Sequence, residues 1–452
     1  MSKHLKRRVT TCALGLTALM SQSAGATDKE LLDILLANQK ISKAQYDYLM
    51  DKEKMSEADK KELASSDVEV SLKKGLKIQT KDGDMKFQVG GRLHAQAAYN
   101  GDNTLGANDG TEIRRGRLFV KGVLFKDFNF KAQYDFADNK VGVKDLFVSY
   151  SGLDWFDITV GHQKQTYSLQ LMMSSNDMPF VERSIDNAFA EALTDRAIGV
   201  RFDSEGDIWS VQTGFYGGSV GASDKSTDDE GWGYTARGIL APIHTENQLV
   251  HLGGAVAYRV PDDQADVGDS PVRFRSETTH MSNLYLVDTG EIEGVSNIVL
   301  ASAEGAFVHG PFSLVGEYHH AFVNRDGNSD LDFNGWHVES TWSLTGESRA
   351  ASYELKYGVL KYLKPAKSFS LKNGGIGAWE LAARIAEIDL NDGPIDGGKE
   401  LAFTGGINWY LNNNVRVMAD YSKVLDLEGG KYDGNSAAED LDIVELRTQL
   451  TF

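Results

Sequence analysis

A strict alternation of apolar and polar residues, repeated in segment after segment from about residue 66 onward, limits the fold more than any other feature. In "DFNFKAQYDF", Phe128, Phe130, Ala132, Tyr134 and Phe136 alternate with polar residues. The same period of two recurs in "NVRVMADYS", "FDITVG", "YELKYGVL", "GWHVESTWSL" and "LAFTGGINWYL". Successive side chains of a β-strand point to opposite faces. The pattern therefore predicts many strands, each with one apolar and one polar face.

Two kinds of connection separate these segments. Tight ones include Asp82-Gly83 and Asn412-Asn413-Asn414, and long acidic ones include "GASDKSTDDEG", "PDDQADVGDS", "NRDGNSDLDF" and "NDGPIDGGKE". Short turns that alternate with long polar loops are typical of outer-membrane β-barrels. A soluble β-sandwich also alternates, but it needs fewer strands and buries its apolar faces in its own core. We predict an all-β transmembrane domain over residues 66–452, an antiparallel barrel of about 16 strands around a water-filled channel.

The first 26 residues have the features of a secretory signal peptide. A basic start is followed by an apolar run from Cys12 to Met20 and by Ala24-Gly25-Ala26. The run is far shorter than the ~20 residues that span a bilayer. We expect cleavage after Ala26, which removes the only cysteine, and a place in the outer membrane of a Gram-negative cell.

Residues 27–65 show helical signals instead of strand signals. Thr27-x-x-Glu30, Ser42-x-x-Gln45 and Ser56-x-x-Asp59 each match a helix start with a reciprocal partner three residues on. The first of these helix starts, at Thr27, precedes an unusually apolar stretch, Leu31 to Leu36. We predict a periplasmic helical or coiled-coil segment that packs on itself or on a partner subunit. The alternative is a weakly ordered leader.

The charge balance and the missing motifs exclude several function classes. The chain carries 65 acidic against 47 basic residues, which argues against a nucleic-acid partner. It has no helical H-E-x-x-H motif and no phosphate-binding P-loop. His319 and His320 are neighbours on a strand and face opposite ways, so they cannot chelate one metal together. We expect no enzyme activity, no cofactor and no metal site. An outer-membrane enzyme and an adhesin-like barrel stay as rival classes.

If the apolar face of each strand meets lipid, the polar face lines the channel. That parity places many basic residues inside: Arg92, His94, Arg115, Arg117, Lys131, Arg201, Arg237, Arg259, Arg384, Arg416 and Arg447. Guanidinium groups bind carboxylate and phosphate oxygens and favour the passage of anions. Acids share the same faces, among them Asp135, Glu339, Glu380 and Asp420. The arginines could therefore pair across strands and brace the wall instead.

One connection differs from the others. Residues 166–196, "TYSLQLMMSSNDMPFVERSIDNAFAEALTDR", are too many for a turn and too apolar for an exterior loop. We expect this loop to fold into the barrel and narrow the channel. Contact with lipid or with another subunit is the alternative.

The segment "ELRTQLTF" has Leu446, Leu450 and Phe452 on one face and Arg447 on the other. We expect it to be the closing strand of the barrel, paired with the first strand near "FQVGGRL". Phe452 resembles the C-terminal aromatic residue by which outer-membrane proteins are recognised for assembly, so we expect it to act as an assembly signal.

Several motifs, taken in order, resemble the phosphate-selective porin O/P family. They are "GGRL" (90–93), "EIRRGRLFVKG" (112–122), "YSLQLMMSS" with "FVER" (180–183), "ARGILAP" (236–242), "SLTGESR" (343–349), "GAWELAAR" (377–384) and "GINWYLNNNVRVMADY" (406–421). The resemblance implies a 16-stranded trimeric outer-membrane porin with a constriction loop inside the barrel.

The resemblance also implies roles for individual residues. Arg92, Arg114 and Arg115 would be pore arginines, with Arg117 beside them by parity, and Arg183 would close the constriction loop. Arg237, Arg259, Arg273 and Arg275 would line the approach. Parity does not predict an inward Arg114, which would need a bulge or a loop position. The constriction loop would present Met172, Met173, Ser174, Ser175 and Asn176.

The loop departs from the family in one respect, because residues 168–181 contain neither Lys nor Arg, whereas the phosphate-binding members carry lysines there. We therefore predict passive diffusion of small hydrophilic solutes, with a preference for anions such as phosphate or polyphosphate. The partners would be anionic or polar solutes, outer-membrane lipid and two further copies of the chain in a homotrimer. A non-selective or sugar-type porin is the alternative.

Overall fold

Most of the alternating segments form strands in the part of the chain that the structure describes beyond residue 84, with one exception given below. The computed structural model describes residues 68–72, 75–101, 105–107, 109–220, 230–261, 272–277, 280–281 and 284–452, with a few positions between 36 and 50. The described strands are β1 (Val68–Ser71), β2 (Leu76–Thr80), β3 (Lys86–Asn100), β4 (Gly110–Leu124), β5 (Phe128–Asp135), β6 (Gly142–Tyr150), β7 (Asp157–Lys164), β8 (Arg196–Glu205), β9 (Trp209–Tyr216), β10 (Trp232–His244), β11 (Gln248–Val260), β12 (Arg275–Glu277), β13 (Tyr285–Asp288), β14 (Val295–His309), β15 (Phe312–Arg325), β16 (Leu331–Ser343), β17 (Ala378–Asp392), β18 (Ile395–Tyr410), β19 (Val415–Glu428) and β20 (Asp442–Thr451).

Helices are short in the described region. Beyond residue 84, the described α-helices are α1 (Leu169–Met172), α2 (Ala188–Thr194) and α3 (Ser436–Glu439), and the described 3-10 helices are Ala137–Asn139, Ile185–Asn187, Ala350–Ser352, Leu355–Tyr357 and Gly430–Tyr432. Within the described residues we find no helix with the length and apolar character needed to cross a membrane.

The chain divides into two units, residues 1–71 with 78–83, and residues 72–77 with 84–452. In the first unit, Ser42 and Gln45 make the reciprocal bonds of the predicted capping box: the Gln45 amide donates to Ser42 Oγ (3.2 Å) and the Ser42 amide to Gln45 Oε1 (2.9 Å). The signal peptide and the helix starts predicted at Thr27 and Ser56 lie outside the described residues. The domain boundaries stay predictions.

The second unit contains a closed barrel. In the part of the chain that is described, β3 to β11 and β14 to β20 form one antiparallel series, and β20 pairs with β3 to close it. This series of 16 strands confirms the predicted architecture. The closing register sets Leu450 opposite Leu93 and Arg447 opposite Gln96, as the alternation of "ELRTQLTF" predicts.

The wall is apolar outside and polar inside. On β20, Leu446 and Leu450 are 51% and 38% exposed, whereas Arg447 and Gln449 are 1% and 4% exposed. This reverses the arrangement of a soluble protein. Lipid covers the outer side chains in an outer-membrane barrel, and the inner polar ones line the lumen.

The connections at the two barrel ends differ in length. One end, here called the short-turn end, has connections at 125–127, 206–208, 245–247, 310–311 and 411–414. The other, the long-loop end, includes 165–195, 217–231 and 261–294. The structure corrects two sequence-based assignments. "YELKYGVL" is not a strand but holds the 3-10 helix Leu355–Tyr357, and "NDGPIDGGKE" is mostly strand, with only residues 393–394 between β17 and β18.

Candidate permeation site

The connection between β7 and β8, here called the inner loop (residues 165–195), lies inside the barrel. Ser168 caps α1 by accepting a hydrogen bond from the Leu171 amide (3.2 Å), and α2 follows later in the loop. Tyr167, Phe180 and Phe189 are at most 1% exposed. They pack against lumen residues, which accounts for the apolar character of this loop.

The inner loop is held by side chains from strands around the barrel. Asn408 donates to the Pro179 carbonyl (2.7 Å), Arg416 to the Met178 carbonyl (2.8 Å), and the Val181 amide to Asp420 (2.6 Å). On another part of the wall the Gln170 amide donates to Glu317 (2.5 Å). These bonds involve β15, β18 and β19, so the loop crosses the lumen.

A β-bulge turns two consecutive arginines toward the inner loop. His94 pairs with Arg115 and the next residue, Ala95, pairs with Ile113, so that Arg114 has no partner in the register of β3. An extra residue of this kind breaks the alternation of faces. Arg114 Nε lies 3.0 Å from Glu182 Oε1, and Arg115 Nη2 lies 3.6 Å from Glu182 Oε2. The alternation of inward-facing and outward-facing residues alone therefore could not place Arg114 beside Glu182.

Glu182 is shared by three guanidinium groups. Besides Arg114 and Arg115, Arg447 Nη2 lies 2.5 Å from Glu182 Oε1. Burial raises the pKa of the Glu182 carboxyl, but the three guanidinium groups outweigh it and hold the pKa well below its ordinary value. Glu182 is therefore ionised at neutral pH and offsets one of the three positive charges at this point of the channel.

Five cations lie on the neighbouring wall, here called the basic wall: Arg92, Arg117, Lys131, Lys164 and Arg196. Arg92 and Arg117 are direct partners across β3 and β4. Three carboxylates share this region. Asp135 pairs with Arg117 (2.6 Å), Asp145 pairs with Lys131 and with Arg196 (2.9 Å), and Asp195 pairs with Arg196 (3.1 Å). The basic wall therefore keeps a positive excess.

Serines of the inner loop face the basic wall. Arg92 Nη1 donates to Ser174 Oγ (3.2 Å) and to Ser175 Oγ (2.9 Å), and Asn176 Oδ1 lies 2.9 Å from His94 Nε2. Met173 is 2% exposed and packs with Leu169 and Met178, and Met172 lies at the edge of that cluster. Of the five predicted loop residues, the serines and Asn176 contact polar wall residues and the methionines fill apolar space.

Comparison with known proteins supplies the family. The family model described as "Phosphate-selective porin O and P" matches residues 87–452. The chain belongs to this family. It is 27% identical over 421 residues to Porin O of Pseudomonas aeruginosa, covering 86% of this chain and 93% of that protein. It is 28% identical over 379 residues to an uncharacterized protein of Caulobacter vibrioides, covering 81% of this chain and 73% of that one.

Solved structures support the fold. A loop L8 deletion mutant of OmpT, an outer membrane protein of Vibrio cholerae, superposes with a TM-score of 0.52 at 12% identity, covering 82% of this chain and all (100%) of that one. An anion-selective porin from Comamonas acidovorans superposes with a TM-score of 0.51 at 12% identity, covering 81% and 100%. The protein is an outer-membrane porin of the Gram-negative cell envelope. Its family and barrel fold are those of a channel.

The porin has a second inward segment, residues 344–377, which the sequence did not predict. It connects β16 to β17 at the short-turn end, where other connections are short. Arg349 from this segment forms a two-pronged ion pair with Glu380 of β17 (2.7 and 2.8 Å), and the Tyr357 carbonyl accepts from Arg237 of β10 (2.6 Å). The segment therefore fills lumen space from the end opposite the inner loop.

The remaining predicted arginines are not gathered at one point. Arg237 is buried and pairs with Glu304 (2.7 Å), while Arg259 donates to the Gly217 carbonyl (2.9 Å). Arg273 pairs with Asp288 (2.6 Å), and the Arg275 guanidinium lies 4.0 Å from the Tyr285 ring centroid. Arg183 donates to the carbonyls of Gln170 (3.2 Å) and Met173 (3.1 Å), which joins two parts of the inner loop.

No group of three or more His, Cys, Asp or Glu residues within the described ranges is arranged to hold a metal ion. His319 is buried against the inner loop, where its Nδ1 lies 3.3 Å from the Tyr167 hydroxyl, while His320 lies 3.3 Å from Asp332 on the partly exposed face. The two neighbours thus occupy opposite faces of β15, as the alternation predicts.

Proposed function

We propose that this porin passes small hydrophilic solutes by passive diffusion with a modest preference for anions, phosphate-type oxyanions among them. The observation that carries the proposal is Arg92. It lies opposite Arg117 on the lumen face, makes no ion pair with a described residue, and meets serine hydroxyls of the inner loop. Like charges directly opposite each other on a sheet destabilise it. An oxyanion between these guanidinium groups relieves that repulsion and can accept paired N–H bonds.

The names of related proteins agree with this proposal. The family that matches this chain is described as phosphate-selective, and the Comamonas acidovorans channel is called anion-selective. One solved OmpT structure is described as a trimer form. We extend the proposal to a homotrimer embedded in outer-membrane lipid, with Arg92, Arg114, Arg115 and Arg117 along the anion path and residues 172–176 at its narrowing.

A non-selective or sugar-type channel is the second candidate, and a specific observation favours it. Arg114, Arg115, Arg117 and Arg237 all form ion pairs with carboxylates of the inner loop or the wall. A guanidinium that already has a carboxylate partner attracts a passing anion weakly. The loop also has no lysine or arginine between residues 168 and 181.

Reversal potentials across a planar bilayer under a KCl gradient test the proposal. We expect the sign of an anion-selective channel, and we expect Arg92→Ala to lower the chloride-to-potassium permeability ratio about threefold because it removes a charge with no carboxylate partner. Arg325→Ala is the matched control, since Arg325 bonds to the Ser329 carbonyl (2.6 Å) in an exposed connection. A cation-selective sign in the wild type would end the anion proposal.

A further inference from the structure

Beyond the inner loop, toward the long-loop end, the wall contains a recess that is open to the channel. We call it the acidic recess and define it by Glu400, Asp420 and Glu445, which line it from β18, β19 and β20. Residues 391–400 match a polar loop by sequence, so the position of Glu400 on the channel wall is visible only in the structure.

Two carboxylates of the acidic recess are buried and incompletely paired. Glu400 is 1% exposed, and its Oε2 has no hydrogen-bond partner among the described residues. Asp420 is 3% exposed; its Oδ2 accepts from the Val181 amide (2.6 Å), whereas its Oδ1 is unpartnered within the same set. A carboxylate removed from water without a partner is unfavourable. A cation in the recess would supply the missing partner.

The register places two carboxylates side by side. Asp420 and Glu445 are direct partners across β19 and β20, and both face the lumen. Two carboxylates in this arrangement repel each other. The recess therefore contains a cluster of acids from β18, β19 and β20, together with the basic residues Arg183, Arg384 and Lys423.

A guanidinium lies beside these carboxylates. Arg384 of β17 also lines the recess, donates to the carbonyls of Glu182 (3.2 Å) and Arg183 (3.4 Å), and stacks over the Phe180 ring (4.4 Å). It makes no ion pair with a described residue, so it can still bind an anionic group. Arg384 lies opposite Thr404, four residues along β18 from Glu400, or about 13 Å. Two long side chains and a short solute can bridge that distance.

We propose that the acidic recess binds zwitterionic solutes, holding the ammonium group at Glu400 and Asp420 and the anionic group at Arg384. The inference rests on the proposed anion-preferring function and deepens it, because the acidic recess would select those anions that also carry an amine. Each contact is a charge-assisted hydrogen bond, the class that contributes most per bond.

Single-channel recordings with matched solutes test this proposal. The probes are 2-aminoethyl phosphate, ethyl phosphate and ethylammonium chloride, each added to KCl. We expect 2-aminoethyl phosphate to halve the current at a concentration about fivefold lower than ethyl phosphate. Glu400→Gln and Asp420→Asn should each bring that ratio toward one, because each removes a contact of the ammonium group, while block by ethyl phosphate should not weaken in either variant. In the Asp420→Asn variant the carboxamide oxygen can still accept from the Val181 amide, so the inner loop keeps this bond to the wall.

Asp426→Asn is the control, because Asp426 is an exposed carboxylate on β19 outside the recess. It should leave the ratio at its wild-type value. Equal block by the two phosphates in the wild type would overturn the proposal, as would a ratio unchanged in both recess variants. If CaCl2 but not ethylammonium chloride relieved the block by 2-aminoethyl phosphate, the ligand at these carboxylates would be a metal ion. That result would also overturn the proposal. The reversal potential tests the proposed anion preference of the channel. It is measured separately from the ratio of the two blocking concentrations, so failure of one proposal can be told from failure of the other.

Discussion

At the scale of single residues, Glu182 is the common partner of three wall arginines in the channel. It belongs to the inner loop, yet its partners Arg114, Arg115 and Arg447 belong to the wall. Both Glu182 and Arg114 keep 22% of their side-chain surface exposed, so solutes in the lumen can approach them. Glu182 therefore acts as a tethered anion that competes with permeating anions for the same guanidinium groups.

We predict that Glu182→Gln increases anion selectivity. The amide keeps the size of the side chain and removes the negative charge, so three guanidinium groups lose their common counter-ion. For partly exposed groups the effect should be about threefold in the chloride-to-potassium permeability ratio. Reversal potentials under a KCl gradient measure it directly.

Glu191→Gln provides the comparison on the same loop. Glu191 pairs with Arg183 at 3.4 Å, and its side chain is 54% exposed, so solvent already screens it. This variant should retain the wild-type reversal potential. If Glu182→Gln gave the same value as Glu191→Gln, the three-arginine cluster would have a bracing role only.

At the scale of the elements, local alternation was sufficient to predict most strands and their faces. The face of each residue follows from its position in the strand and from whether that face meets lipid or water. The local alternation of apolar and polar residues indicates both. The inward position of Arg114 was not accessible in this way, because a bulge depends on pairing with another strand. The family resemblance implied a pore position for it without giving the geometry.

The two misassigned segments have a common cause. "YELKYGVL" alternates like a strand, but its apolar residues Val359 and Leu360 pack inside the lumen with residues of the inner loop. Glu400 lies in an acidic sequence typical of a loop, but lumen-facing strand positions in a channel also accept acids. Burial inside a barrel by another segment is a long-range event, and a pattern of eight or ten residues does not contain it.

The inner loop should loosen when one of its buried aromatic rings is removed. Phe180 is 1% exposed and lies under Arg384. Truncation of a buried Phe to Ala typically costs about 3 kcal/mol or more. We expect Phe180→Ala to leave the barrel folded, because the strands pair without it, and to give a larger or noisier single-channel conductance.

Phe403→Ala makes the same truncation on β18, where the side chain is 37% exposed on the outer face. Its conductance should match the wild type. Conductance and noise in Phe180→Ala equal to those of Phe403→Ala would show that the loop does not depend on this ring.

At the scale of the whole molecule, stability in a bilayer depends on closing the seam between β20 and β3. An open edge in lipid leaves backbone groups without hydrogen bonds, at several kcal/mol for each group. The pairing extends past the end of β20: the Gly91 amide donates to the Phe452 carbonyl (2.9 Å), and the Phe452 amide donates to the Gly91 carbonyl (3.1 Å). A Cβ at Gly91 would lie 2.7 Å from the Phe452 ring, so the ring covers this glycine.

Deleting Phe452 should therefore reduce assembly and not conduction. The deletion removes two hydrogen bonds at the seam together with the aromatic ring that we propose as an assembly signal. We expect a lower yield of heat-modifiable barrel and of trimer on gel electrophoresis, while the channels that do assemble keep the wild-type single-channel conductance. Phe452→Leu keeps both backbone bonds and separates the two contributions, since it should lower the yield only if the ring itself is recognised. A normal trimer yield after deletion would mean that the rest of the register between β20 and β3 closes the barrel unaided.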